Sequence, residues 1–134
     1  MRKVNLAGRS LDGLRRSLQQ NPNISFLQEP VELQAFDDHY GLFRARVYFW
    51  DQSHLTVDEV IDTSAGFPEI ISYAYTYVRS EGHVFRYDNA PHYPQFPTFP
   101  HHKHIGIDEK PVAAEQPTLN QVYSEIETYL SNTQ

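Results

Sequence analysis

The chain has 134 residues, a formal charge of −6 and no cysteine. That length suits one ordinary core and leaves no room for two domains, so residues 1–134 are expected to form a single domain. The missing cysteine excludes a disulfide framework, a thiol nucleophile and any thiolate-held zinc or iron–sulfur site. The acidic balance argues against broad, nonspecific nucleic-acid binding but leaves room for a local cationic site. No apolar run approaches a membrane span, and no apolar signal core follows the basic start, so a cytoplasmic, unexported protein is expected.

In chain order, Leu11, Leu14 and Leu18 predict a short amphipathic helix over about residues 9–20, stopped by Asn21-Pro22-Asn23. Val31–Phe36 alternates as a first strand, and Asp37–Gly41 reads as a turn. Leu42–Trp50 is rich in β-formers. One of its faces would carry Leu42, Arg44, Arg46, Tyr48 and Trp50, the other Phe43, Ala45, Val47 and Phe49. His54–Ile61 and Ile70–Arg79 follow as strands, the second with Tyr73, Tyr75 and Tyr77 on one face, and Glu81-Gly82 turns the chain into His83–Asp88. Pro91, Pro94, Pro97 and Pro100 rule out a central strand or helix interior over 90–100. Thr118 caps a last helix marked by Val122, Ile126 and Leu130. The expected fold is α+β: an antiparallel meander of four or five strands with an N-terminal and a C-terminal helix.

Five of the seven histidines lie between His83 and His104, on a stretch stiffened by prolines. Imidazoles titrate near neutrality and serve as acid, base or ligand. Phe85-Arg86-Tyr87-Asp88-Asn89-Ala90-Pro91-His92, a short Pro-containing spacer, and Thr98-Phe99-Pro100-His101-His102-Lys103-His104 resemble the signature of the TumE-type toxins of bacterial toxin–antitoxin systems. The resemblance extends to the preceding strands and the helix after the motif. One departure is visible: where the family usually has a second His after Ala-Pro-His, this chain has Tyr93. The resemblance implies a small toxin encoded beside a DNA-binding antitoxin that neutralises it.

Three mechanisms fit the residues. In the preferred one the protein is an endoribonuclease without an obligatory metal or other cofactor. RNA supplies its own 2′-hydroxyl nucleophile, and the protein needs a base, an acid and a cation for the phosphorane. Arg86, Asp88, His92, His102 and His104 are the expected catalytic set, with Asp88 orienting an imidazole. Arg44, Arg46 and Lys103 would supply charge, and Tyr73, Tyr75 and Tyr87 would stack bases. The tyrosines serve equally well as packing against a helix. In the second mechanism His102 and His104, alternating on a strand, hold a metal with Asp88 or His92. In the third the protein is noncatalytic, and Tyr93, Phe96 and Phe99 anchor a protein partner. Asn89 is expected to close an Asx turn that aims Asp88 and His92.

Overall fold

The computed structural model describes residues 16, 20–28, 31–66 and 68–131. Among them are eight strands, β1 (Ile24–Leu27), β2 (Glu32–Ala35), β3 (Tyr40–Phe49), β4 (His54–Asp62), β5 (Glu69–Arg79), β6 (Gly82–Asp88), β7 (His102–Ile105) and β8 (Lys110–Ala113), and one helix, α1 (Leu119–Ser131).

All eight strands join one antiparallel sheet. Its path runs β1-β3-β4-β5-β6-β7-β8, and β2 shares the edge of β3 with β1. β1 pairs with residues 47–49 of β3 and β2 with residues 41–44, so the two short strands are successive pieces of one broken edge. From β3 to β8 the sheet is a meander of consecutive hairpins.

This corrects the expected fold. The sheet has eight strands rather than four or five, and α1, the one helix with a described range, is C-terminal, so the described residues are predominantly β. The expected helix over 9–20 lies, apart from Arg16 and Gln20, outside the described residues. The uncounted strands are the short ones. β1 is only Ile-Ser-Phe-Leu, too brief for its alternation to register. β7 is His-Lys-His-Ile and carries a single strong β-former. β8 contains Pro111, which a strand tolerates at a sheet edge, and β8 is the edge.

The two faces of the sheet differ because alternation holds along every long strand. One face presents Phe43, Ala45, Val47 and Phe49 of β3, Leu55 and Val57 of β4, Tyr73, Tyr75 and Tyr77 of β5, and Phe85 of β6. These join Val122, Tyr123, Ile126 and Leu130 of α1 in one buried core. The helix starts in a reciprocal cap: the Gln121 N–H donates to Thr118 Oγ1 (3.1 Å) and the Thr118 N–H to Gln121 Oε1 (2.9 Å).

Several polar groups on the covered face pair with one another. The Tyr75 hydroxyl donates to Glu59 (2.7 Å) and the Tyr77 hydroxyl to Ser53 (2.9 Å). Glu125 of α1 accepts both the Tyr87 hydroxyl (2.6 Å) and Lys103 Nζ (2.5 Å), tying the helix to β6 and β7. Lys103 Nζ also lies 4.8 Å above the Tyr87 ring. Tyr87→Phe is therefore expected to cost about 1 kcal/mol of stability, read by chemical denaturation, and to leave binding on the other face unchanged.

Candidate functional site

The open face of the sheet is built by register. Cross-strand partners point to the same side. Arg46 pairs with Thr56, Thr56 with Thr76, Thr76 with Arg86, and Arg86 with His104. One step along the strands, Arg44 pairs with Asp58, Asp58 with Ala74, Ala74 with Asp88, and Asp88 with His102. Two adjacent rows of mostly polar side chains thus cross five strands, about 19 Å at ordinary strand spacing.

At one end of the rows stand aromatics. The Phe26 and Tyr48 rings stack at 4.7 Å, and His54 lies 5.3 Å from Tyr48. Burial first, and the charge of Arg46 second, hold His54 below its ordinary imidazole value. Phe26 is half exposed although it is a large apolar side chain. Arg46 Nε donates to Thr56 Oγ1 (3.3 Å), and Arg44 pairs with Asp58. A groove of 340 Å³ lined by Leu42, Arg44, Asp58, Ser72, Ala74 and Asp88, among others, leads toward the opposite end.

That end holds Asp88, His102 and His104, all buried. Asp88 Oδ1 accepts the Ala90 N–H (3.0 Å) and lies 2.9 Å from His102 Nε2. Asp88 Oδ2 accepts Arg86 Nε (3.0 Å) and lies 3.6 Å from His104 Nε2. The outer nitrogens are anchored. His102 Nδ1 donates to the Pro100 carbonyl (3.0 Å) and His104 Nδ1 to the Glu109 carbonyl (3.1 Å). A carbonyl oxygen can only accept, so each Nδ1 carries the proton of that bond. Arg86 is fixed from its other side by Glu109 Oε1 (2.8 Å).

The Pro-rich excursion folds back on this trio. Tyr93 takes a left-handed backbone conformation (φ 59°), unusual for a bulky residue. Its ring meets His102 edge-on at 5.1 Å and His104 at 6.0 Å, and stacks on Phe96 at 5.4 Å. Thr98 pins the end of the excursion: its hydroxyl donates to the His101 carbonyl (2.7 Å) and accepts the Ala114 N–H (3.2 Å).

Of the expected site residues, Arg86, Asp88, His102, His104, Arg44 and Arg46 share the open face. Tyr75, Tyr87 and Lys103 stand on the helix-covered face, Tyr75 at 1% exposure and the other two bonded to Glu125. His92 lies exposed in the excursion, 6.1 Å from the Tyr93 ring. His101, next to His102, turns the other way and meets the Tyr73 hydroxyl (2.9 Å). The Asx turn is made by Asp88 onto Ala90, not by Asn89. The Asn89 side chain instead extends the β5–β6 pairing, accepting the Tyr73 N–H (3.1 Å) and donating to the Ile71 carbonyl (3.0 Å). Phe26, Tyr48, Thr56, Thr76 and Glu109 were not singled out from the sequence; the alternation of β3 and β4 marks Tyr48 and Thr56, but Glu109 is joined to Arg86 only by the β7–β8 turn.

Residues 16–133, nearly the whole chain, match the family described as Toxin TumE. The chain belongs to the TumE toxin family. No curated protein and no solved structure gives a match. Membership makes this TumE chain the toxin component of a pair and implies an antitoxin partner. No helix among the described residues is long and apolar enough to cross a membrane.

Proposed function

We propose that this TumE chain arrests cells by cutting single-stranded RNA in the cytoplasm, at the buried trio of Asp88, His102 and His104. The antitoxin is proposed, on the family resemblance, to be a DNA-binding protein. The observation that carries the RNA reading is the pair of rows linking an exposed aromatic stack to the trio. Unpaired bases stack on aromatic rings, and arginines track the phosphates between them. The Phe26–Tyr48 stack supplies the first, Arg44 and Arg46 the second. The tyrosines expected for stacking from the sequence face the core instead.

Cleavage places the scissile phosphate beside Arg86, whose side chain is 30% exposed and whose guanidinium is held in place by Asp88 and Glu109. The 2′-hydroxyl gives its proton to the trio as its oxygen attacks phosphorus, and the P–O5′ bond breaks as the trio returns a proton to the leaving 5′-oxygen. Arg86 balances the charge that builds on the phosphorane oxygens. Proton handling falls to the trio. The metal-free form needs His102 and His104 as separate base and acid, each with a ring nitrogen open to substrate. His102 is 1% exposed and both its nitrogens face protein, so the geometry favours the trio acting as one unit.

The reading is tested by controlled expression of the native chain beside a His102→Ala, His104→Ala double variant of verified folding. Growth arrest with loss of total RNA that the variant abolishes supports it; arrest with intact RNA counts against it. RNA affinity supplies an independent check. Phe26→Ala is expected to weaken binding of a single-stranded oligonucleotide by about 5- to 150-fold, the worth of one stacked base. Arg46→Ala should lower the salt dependence of that binding by about 0.7 in slope, as for one phosphate contact on a single strand. Titration of each variant across salt concentrations reads both values.

A further inference from the structure

We infer that Asp88, His102 and His104 form a binding site for a late first-row divalent cation such as Zn²⁺, Co²⁺ or Ni²⁺. The inference stands on the geometry of the trio and does not depend on RNA being the substrate.

The lone pairs carry it. Both imidazoles spend their Nδ1–H on backbone carbonyls, Pro100 for His102 and Glu109 for His104. Each ring, as a neutral imidazole, then offers a bare Nε2, and both Nε2 atoms face the carboxylate of Asp88. Acceptors opposed to acceptors repel unless a positive centre lies among them. A proton on His102 Nε2 does not fill that role well. Although 2.9 Å from Asp88 Oδ1, this nitrogen lacks the geometry of a hydrogen bond and is buried with no hydrogen-bond partner among the described residues.

A cation fits the spacing. Metal bonds of 2.0–2.1 Å in a tetrahedral site set donor atoms about 3.3 Å apart. The two imidazole approaches to the Asp88 carboxylate, 2.9 Å to Oδ1 from His102 and 3.6 Å to Oδ2 from His104, lie on either side of that value, and one ligand atom from each of the three residues lies within 4.8 Å of the others. The surroundings also match. Metal-binding imidazoles usually donate their other N–H to a carbonyl or carboxylate, which fixes ring and tautomer. Here two carbonyls do so, and the Ala90 N–H and Arg86 hold the carboxylate. The donors sit on paired strands, Asp88 directly opposite His102, so the site is preorganised. Two nitrogens and one oxygen favour zinc-like cations over magnesium or calcium, which prefer oxygen alone. Three protein donors leave a position for water or substrate.

The test is a cobalt titration of the purified full chain after dialysis against a chelator. One equivalent of Co²⁺ per chain, with the visible absorption of a four- or five-coordinate ion and displacement by Zn²⁺, is expected. His104→Ala should weaken binding at least tenfold, whereas His101→Ala, which removes a neighbouring imidazole from the opposite face, should retain it. The melting temperature of the unmodified chain should rise with Zn²⁺, which needs no variant to fold. A spectrum indistinguishable from hydrated Co²⁺, an unmoved melting temperature, or equal loss in the His101→Ala chain would overturn the inference. RNA cleavage by a chain that binds no cation would remove the metal and leave the nuclease standing. Stoichiometric binding without cleavage would do the reverse.

Discussion

Asp88→Asn is expected to lower toxic activity about 100-fold, enough to abolish growth arrest, while the chain still folds. Asp88 is the hub of the site: its two oxygens meet Arg86, the Ala90 N–H and both inner imidazole nitrogens. Asparagine keeps the volume but replaces one acceptor oxygen with a donor and removes the charge that balances Arg86. Leaving a buried partner unsatisfied costs about 1–3 kcal/mol, measurable by denaturation. Stability loss alone does not explain lost arrest if Tyr87→Phe, weakened on the covered face, still arrests growth. Arrest by Asp88→Asn at native potency would remove the trio from the mechanism.

The second large effect is alkaline unfolding. Tyr73, Tyr75 and Tyr77 are buried side by side on the covered face of β5. Burial, before any other cause, pushes each phenol above its ordinary value, Tyr73 to about 12, with Asp88 and Glu115 adding to it. Glu59 raises Tyr75 further, while the Ser53 hydrogen bond partly offsets the rise at Tyr77. The folded chain therefore keeps protons that the unfolded chain releases near pH 10. Their stabilisation is whole below pH 10 and shrinks as pH rises toward the folded values. Each tyrosine contributes about 1.4 kcal/mol per pH unit in that window, so the three together remove about 4 kcal/mol per unit at the steepest. Phenolate absorbance followed with circular dichroism checks this. The buried tyrosines should ionise only as the β signal is lost; smooth ionisation of all nine near pH 10 in a folded chain would contradict it.

Much of the sheet was legible because its long strands alternate. Phe43, Ala45, Val47 and Phe49 were grouped on one face of β3 by spacing alone, and all four are in the core. The Thr118 cap and the Val122, Ile126, Leu130 stripe of α1 were equally plain. Which face the helix covers was not. Tyr75 and Tyr48 both lie in alternating strands, and only the docking of α1 makes one core and the other surface. The trio was partly legible: His102 and His104 alternate, and Asp88 ends the preceding strand. Their meeting depends on register. The thirteen residues between Asp88 and His102 return the chain to pair β7 beside β6, and no local pattern in a Pro-rich stretch encodes that return. The rows across the open face are invisible for the same reason. Arg46 and Arg86 are 40 positions apart in sequence, and three successive hairpins bring them onto one line.

The most direct measurement incubates the purified full chain with a single-stranded RNA oligonucleotide, alone and after the Asp88→Asn change, and identifies the product ends. Cleavage by the native chain that leaves 2′,3′-cyclic phosphate ends, and falls about 100-fold in the variant, is the predicted result. Intact RNA with a native chain that still arrests growth, or equal cleavage by both chains, would contradict the proposal that Asp88, His102 and His104 cut RNA.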